Sequence, residues 1–150
     1  MVPETNTDSM TAQWLAGFID GSLSEAQPGC FYIDTSVNRT TALGRQVQLQ
    51  FSITQHSRDH ALLVQIQKFL GVGYIAPDGP SKYQYRIRDL SHIDRILIPF
   101  LVSNPLLTLK RLDLSDFITV KEMMLRKEHL TQTGLDQIRL IKAGMNRARK

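Results

Sequence analysis

The chain has 150 residues and one cysteine, Cys30, so it has the size of one domain and cannot form an intrachain disulfide. Its 42% hydrophobic and 21% charged residues are ordinary for a globular protein, and no apolar run is long enough to suggest a membrane span. The net charge of +4 permits a nucleic-acid partner without requiring one.

The chain opens with a polar segment, residues 1–9, which resembles neither a secretory signal nor an Arg-rich transit peptide. We expect this segment to be flexible and to precede a single domain over residues 10–150. Asp8 and Ser9 are both suited to cap a first helix, which the pattern ends near Gly21. Apolar residues recur through that helix at helical spacing: Met10, Trp14, Leu15, Phe18 and Ile19.

Alternating apolar and polar residues predict strands over 30–38 and 45–56, joined by a hairpin connection over 38–44. Helical spacing then runs over 60–70, and Gly71 is placed to end that helix. Two further strands follow, over 72–76 and 82–90, separated by the turn sequence Pro77-Asp78-Gly79-Pro80.

Helical patterns fill the rest of the chain, over 91–98, about 109–127 and 133–147. Ser91 is the expected cap of the first of these helices, and Pro99 is expected to end or kink it. The element order predicts an α+β fold, an antiparallel sheet with helices on one face. Such a sheet buries one side and leaves the other polar.

The polar side of the predicted strands is rich in glutamine and arginine, residues that pair bidentately with adenine and guanine in the major groove. Arg and Lys also neutralise phosphates. The alternative is that this face is polar only for solubility. The candidate nucleic-acid-binding residues are Tyr32, Asp34, Ser36, Asn38, Arg45, Gln46, Gln48, Gln50, Ser52, Lys82, Gln84, Arg86 and Arg88.

Two glycines in the first helix, Gly17 and Gly21, lie four residues apart and share one helix face, where small residues let two helix backbones approach closely. The alternative is an amphipathic helix packed in its own core. The stretch Leu15-Ala16-Gly17-Phe18-Ile19-Asp20-Gly21 resembles the first seven positions of the signature of LAGLIDADG homing endonucleases. Segments 51–56, 69–73, 83–87 and 104–110 also resemble that family's organellar, intron-encoded members.

The resemblance implies an αββαββα saddle in which two copies of the motif helix pack together and each four-stranded sheet lies in the major groove of double-stranded DNA. A chain with one motif implies a homodimer with an isologous interface. A half of a heterodimer and a fragment of a longer protein remain alternatives. The expected interface residues are Trp14, Gly17, Phe18 and Gly21.

Members of this family cut DNA with divalent metal ions. The resemblance therefore implies a Mg²⁺ ion that is held by an acidic residue at the eighth motif position. Here that position is Ser22, followed by Leu23, and residues 22–28 look like an insertion. Glu25 is a candidate for a displaced metal ligand, although a loop acid is more often solvated. Asp20 is a second candidate for catalysis and metal binding; its alternative role is structural, at the helix end.

Gln55 and Lys110 match polar and basic positions that in the family surround the scissile phosphate, so the resemblance implies catalytic roles for them. Lys110 has the alternative of a surface lysine at a helix start. His56 and His60 lack a third ligand nearby and are expected to be surface groups.

Two functions follow from the resemblance. The first is a DNA endonuclease with an unusual turn after the motif, acting in a mitochondrion or chloroplast. The second is a cleavage-defective domain that binds RNA as a splicing maturase or as a component of an organellar ribonucleoprotein such as the ribosome. The missing acid favours the second function, whereas the polar strand face favours DNA because A-form RNA hides its major groove.

Overall fold

The computed structural model of the protein describes residues 10–21 and 30–146. The predicted N-terminal segment 1–9 and the candidate ligand Glu25 lie outside the described residues, as do Ser22 and Leu23. The elements are α1 (Ala12–Gly21), β1 (Phe31–Asp34), β2 (Gln48–His56), α2 (His60–Leu70), β3 (Tyr74–Pro77), β4 (Lys82–Ile87), α3 (Leu90–His92), α4 (Ile98–Ser103), α5 (Lys110–Leu125) and α6 (Gln132–Ala143). Over the described ranges, no helix is both long and apolar enough to cross a membrane.

The four strands form one antiparallel sheet in the order β1-β2-β4-β3, so β2 and β4 are central and β1 and β3 lie at the edges. The register sets Phe51 opposite Phe31 on one side and opposite Ile87 on the other. These three side chains are almost fully buried. Because side chains alternate between the faces of a strand, the neighbouring positions must all lie on the opposite face. The predicted α+β fold is confirmed.

Helices cover the apolar face of the sheet. Leu15 and Ile19 of α1 are fully buried in the core, and Phe117 of α5 places its ring 5.2 Å from that of Phe31. A second ring contact, between Phe31 and Phe51 at 5.5 Å, continues this core into the sheet. Among the described residues, the helices thus pack on the apolar face of the sheet.

The first strand is shorter than predicted. It ends at Asp34 because the carboxylate of Asp34 accepts a hydrogen bond from the backbone nitrogen of Ser36 at 2.9 Å, which turns the chain. Val37 was expected on the buried face but is 63% exposed, and it meets Arg45 only in an isolated bridge. The alternation of buried and exposed residues therefore still holds at Thr35, which is 6% exposed, and fails at Val37.

The later strands also differ from the predicted bounds by one to three residues at their ends. Two further differences concern the helices after β4. Asp89, not Ser91, caps α3, since its carboxylate accepts a hydrogen bond from the backbone nitrogen of His92 at 3.1 Å. Pro99 does not end the helix, which continues through α4. A π-helical turn over Ile93–Leu97 precedes this proline. In such a turn the backbone hydrogen bonds join residues five apart instead of four, so the set of carbonyl groups that need an N–H donor changes. Proline, which has no N–H, is therefore tolerated directly after it.

Candidate nucleic-acid interface

Nine of the thirteen predicted polar side chains lie on or beside one surface, the side of the sheet that faces away from the core, which we call the outward sheet face; the other four, Ser36, Asn38, Arg45 and Gln46, lie in the connection between β1 and β2. On the strands this face is formed by Tyr32, Asp34, Gln48, Gln50, Ser52, Thr54, Tyr74, Lys82, Gln84 and Arg86. Arg88 is exposed just beyond the end of β4. The face combines cationic, amide and aromatic groups, which suits contact with a nucleic acid. Thr54 and Tyr74 were not among the predicted residues, although the alternation of β2 already placed Thr54 there.

Hydrogen bonds tie the polar groups of the two central strands to one another. Gln84 donates to the hydroxyl of Thr54 at 3.0 Å and accepts from Nε of Arg86 at 2.5 Å. Arg88 donates from Nε to the amide oxygen of Gln50 at 2.6 Å. The face is thus pre-organised, because its longest side chains are already held in one arrangement.

A second network orders the start of the hairpin between β1 and β2. Gln46 donates to Asp34 at 2.5 Å and accepts from Asn38 at 3.1 Å. Burial alone would raise the pKa of the Asp34 carboxyl, but hydrogen bonds from Ser36 and Gln46 outweigh it and lower the pKa below its usual value. The carboxylate stays ionised and fixes the position of the hairpin.

Two of the predicted nucleic-acid-binding residues, Ser52 and Arg45, make contacts within the chain. Ser52 lies on the outward sheet face but is only 8% exposed, because it is a short side chain directly opposite the long Arg86. Arg45 directs a terminal nitrogen to the backbone oxygen of Thr35 at 2.9 Å. Ser52 is therefore largely covered by its neighbours, and Arg45 uses one terminal nitrogen for a bond within the chain.

Lys142 is a cationic group beside the face that the sequence did not indicate. It comes from α6, and its Nζ lies 5.0 Å from the ring centre of Tyr32, close enough for a cation–π contact. Asn146 donates to the backbone oxygen of Phe31 at 3.0 Å and so fastens the end of this helical region to edge strand β1. No local pattern signals this contact, since it joins residues more than a hundred positions apart.

The motif helix presents an open surface. A Cβ atom added at Gly17 or Gly21 would have no neighbour within 4 Å among the described residues. Trp14 is 46% exposed and stacks on Phe18, with ring centres 5.2 Å apart. Beside Gly17 lies a groove of about 320 Å³ whose lining includes Leu107, which is 83% exposed. The geometry leaves room for another backbone to approach the helix closely.

Asp20 has a structural role at the end of this helix. Its carboxylate accepts hydrogen bonds from the backbone nitrogens of Leu107 at 2.8 Å and Thr108 at 3.0 Å, and from the hydroxyl of Thr108 at 2.5 Å. Burial raises the pKa of Asp20, but these bonds outweigh it and lower the pKa overall. Both oxygens are thus engaged within the chain, which supports the structural alternative over the predicted metal-ligand role.

Lys110 is not the surface lysine of the alternative interpretation. It is 3% exposed, and its Nζ donates to the backbone oxygen of Ile19 at 2.6 Å and lies 3.8 Å from Sγ of Cys30. The lysine therefore lies beneath the C-terminal end of α1, where a cation offsets the partial negative charge of the helix. Gln55 is half-buried near the end of β2, on the side of the sheet that faces the core, opposite Tyr83.

The described residues hold no cluster of three or more metal-ligating side chains (His, Cys, Asp or Glu). Asp20, the described residue that was predicted as a ligand, already satisfies its oxygens with N–H and O–H donors.

Comparisons with known proteins agree on one family. The family profile described as LAGLIDADG endonuclease matches residues 15–121. "Probable intron-encoded endonuclease 2" of Neurospora crassa is 32% identical over 144 residues, which are 95% of this chain and 31% of that protein.

Solved structures give the same result. The crystal structure of the homing endonuclease I-TnaI is similar with a TM-score of 0.83 and 38% identity, over 91% of this chain and 88% of that one. The I-LtrWI LAGLIDADG homing endonuclease bound to target DNA is similar with a TM-score of 0.89 and 34% identity, over 99% of this chain and 48% of that one. The chain thus spans under a third of the curated relative and about half of I-LtrWI.

Proposed function

Because the chain belongs to the LAGLIDADG endonuclease family, we propose that it binds double-stranded DNA through the outward sheet face, as one DNA-binding unit of a homing endonuclease. The observation that carries this proposal is the pre-organised face itself, with Arg86 and Arg88 held by glutamines. The similar I-LtrWI structure contains target DNA and covers nearly the whole of this chain.

The electrostatics of the face support a polyanionic partner. Lys82, Arg86 and Arg88 lie on or beside β4, and Lys142 adds a cation at the β1 edge. The acid on the strands of this face, Asp34, remains ionised, but both of its oxygens already accept hydrogen bonds from Gln46 and Ser36. Cations in such positions displace counterions from phosphates and supply affinity that falls as salt rises.

We propose that the unit pairs with a second LAGLIDADG unit through α1. The open space at Gly17 and Gly21 permits close backbone approach, and the exposed Trp14–Phe18 stack and Leu107 offer apolar surface that pairing would bury. The second unit is a copy of this chain or the other half of a longer protein.

LAGLIDADG endonucleases are generally dependent on divalent metal ions, and the cofactor proposed here is Mg²⁺. Because the carboxylate of Asp20 is engaged within the chain, Glu25 is the candidate carboxylate ligand that we propose. Lys110 and Gln55 are proposed to act near the scissile phosphate, where a fixed cation stabilises charge that develops on the phosphate oxygens.

As the relatives are intron-encoded, we propose a mitochondrial or chloroplast location.

The test is selection of binding sites from a randomised duplex library in Ca²⁺, followed by incubation of the selected duplex with Mg²⁺ or Mn²⁺. We expect enrichment of one long site and metal-dependent cleavage that a Glu25→Gln variant lacks. No enriched duplex, together with tight binding to a structured RNA, would overturn DNA recognition. An enriched duplex that is never cut would overturn the endonuclease activity and leave DNA recognition standing.

A further inference from the structure

Two arginines on or beside the outward sheet face each use the Nε–H group to bond a glutamine. Arg86 donates from Nε to Gln84, and Arg88 donates from Nε to Gln50. We infer that Arg86 and Arg88 recognise two guanines in the major groove, and that Gln84 and Gln50 position these arginines instead of contacting bases. The inference rests on the proposed function, because it names the bases that the DNA-binding face selects.

The donor arrangement of arginine explains the assignment. A guanidinium carries five N–H donors in a fixed fork. Guanine presents two acceptors in the major groove, O6 and N7, which a pair of these donors satisfies together. Because the Nε–H group holds the side chain in place, the N–H groups on the two terminal nitrogens are not needed for positioning and can bond the guanine. An arginine fixed in this way also loses less rotamer freedom on binding, which favours recognition.

The glutamines are placed for support. To recognise adenine, a glutamine must turn both its amide oxygen and its amide nitrogen towards the base. In Gln84 the oxygen accepts from Arg86 and the nitrogen donates to Thr54, so both atoms are directed at neighbours in the sheet. In Gln50 the oxygen accepts from Arg88, which lies opposite it in the continued register of β2 and β4. Contact with adenine would break these bonds.

The strand sets the spacing of the two bases. Arg86 lies on central strand β4, away from the sheet edges and so over the middle of the surface that would enter the groove. Arg86 and Arg88 are two residues apart, which separates their Cα atoms by about 6.6 Å along a strand. Successive base pairs of B-DNA are separated by about 3.4 Å. The two guanines are therefore expected about two base pairs apart in each half-site.

The experiment compares the base preferences of variants in duplex selection in Ca²⁺. Wild-type protein should select two strong guanine positions. Arg86→Ala should lose the preference at one of them and Arg88→Ala at the other, each by about 10- to 100-fold, as expected for a bidentate arginine–guanine contact. Arg95→Ala is the matched control, since Arg95 is an exposed arginine in the π-helical turn rather than on the sheet, and its selected site should match that of the wild-type protein.

Gln84→Glu separates positioning from base contact. A glutamate keeps the acceptor for Nε of Arg86, so the selected guanine should remain although the added negative charge weakens overall binding. If Gln84 contacted adenine, the same variant should replace an adenine preference with cytosine, because a carboxylate accepts from the cytosine amino group. That shift, or a wild-type site without guanines at these positions, would overturn the inference.

Failure of the inference is distinguishable from failure of the proposed function. A selected duplex without the two guanines overturns only the assignment of the bases. Selection that enriches no duplex overturns the DNA-binding function on which the assignment depends.

Discussion

Asp20 and Thr108 join the end of the motif helix to the segment before α5. Oδ1 of Asp20 accepts from both the backbone nitrogen of Thr108, at 3.0 Å, and its hydroxyl, at 2.5 Å. Two residues farther along, Lys110 directs Nζ to the backbone oxygen of Ile19. Thr108 and Lys110 thus both bond to the C-terminal end of α1. The Asp20–Thr108 contact therefore helps to place the buried cation that the family resemblance assigns to the reaction.

The Asp20 contact predicts a pH dependence of stability. Its pKa in the folded chain is lowered, so its contribution is complete above the unfolded value of about 3.9 and is lost as the pH falls through the lower folded value. Asp20→Asn should lower the free energy of unfolding by about 1–2 kcal/mol at pH 7, since hydrogen bonds to a charged group are replaced by weaker ones.

Urea denaturation at pH 7 and pH 3 measures this effect. The gap between wild-type protein and Asp20→Asn should narrow at the lower pH, because the Asp20 carboxyl of the unfolded wild-type chain binds protons there more readily than that of the folded chain. Asp34, whose pKa is also lowered, gives the wild-type chain and the variant the same additional acid sensitivity. A gap of the same size at both pH values would show that the ionised carboxylate of Asp20 contributes nothing.

Local sequence patterns predicted the sheet well. Long alternation located the central strands, and the helix His60–Leu70 has the predicted bounds because Gly71 adopts a left-handed conformation with φ of 79° at its end. The patterns failed where side chains compete with the backbone. Asp34 ends β1 and Asp89 caps α3 through local hydrogen bonds that alternation does not register.

The candidate site was predictable only in part. The polar faces of β2 and β4 follow from period-two alternation, so their outward side chains could be named in advance. The cation at Lys142 and the partners of Asp20 depend on packing between elements that are distant in sequence. The burial of Ser52 depends on the register that sets it opposite Arg86. Sequence periodicity carries no information about such pairings.

Gly73 is required by a close approach to Tyr85. Its φ is 94°, and an added Cβ would lie 2.6 Å from a ring carbon and 2.7 Å from the hydroxyl of Tyr85, which itself donates to the backbone oxygen of Val72 at 2.6 Å. We predict that Gly73→Ala lowers the free energy of unfolding by about 2–4 kcal/mol, combining backbone strain with overpacking.

Gly71→Ala is the matched control, measured by the same urea denaturation. Gly71 has a similar φ of 79°, but an added Cβ meets no described residue within 4 Å, so only the backbone strain of about 1 kcal/mol is expected. Equal losses in the two variants would mean that the contact with Tyr85 does not restrict this position.

The open face of α1 predicts the effect of a large side chain at Gly17. In the single chain a leucine there has space, so Gly17→Leu should fold normally. Pairing with a second unit should weaken by about 1–3 kcal/mol, because the side chain separates the two helices. Sedimentation equilibrium with the selected duplex measures the pairing, and Gln137→Leu at an exposed site of α6 is the control. Unchanged pairing in Gly17→Leu would place the interface elsewhere.

Lys142 should contribute a phosphate contact at the β1 edge. Lys142→Ala is predicted to reduce the slope of log affinity against log salt by about 1 and to weaken binding without changing the selected sequence. Lys68→Ala, at an exposed site of α2, should leave the slope unchanged. Filter binding of the selected duplex over a range of salt concentrations gives both values. Identical slopes for the two variants would remove Lys142 from the interface.

Methylation interference tests most directly whether the outward sheet face binds the major groove. The selected duplex is methylated sparsely with dimethyl sulfate, which marks guanine N7 in the major groove and adenine N3 in the minor groove, and bound DNA is separated from free DNA. We predict that N7 methylation at the two guanines assigned to Arg86 and Arg88 prevents binding. Interference confined to adenine N3, or binding that tolerates N7 methylation throughout the site, would contradict the account.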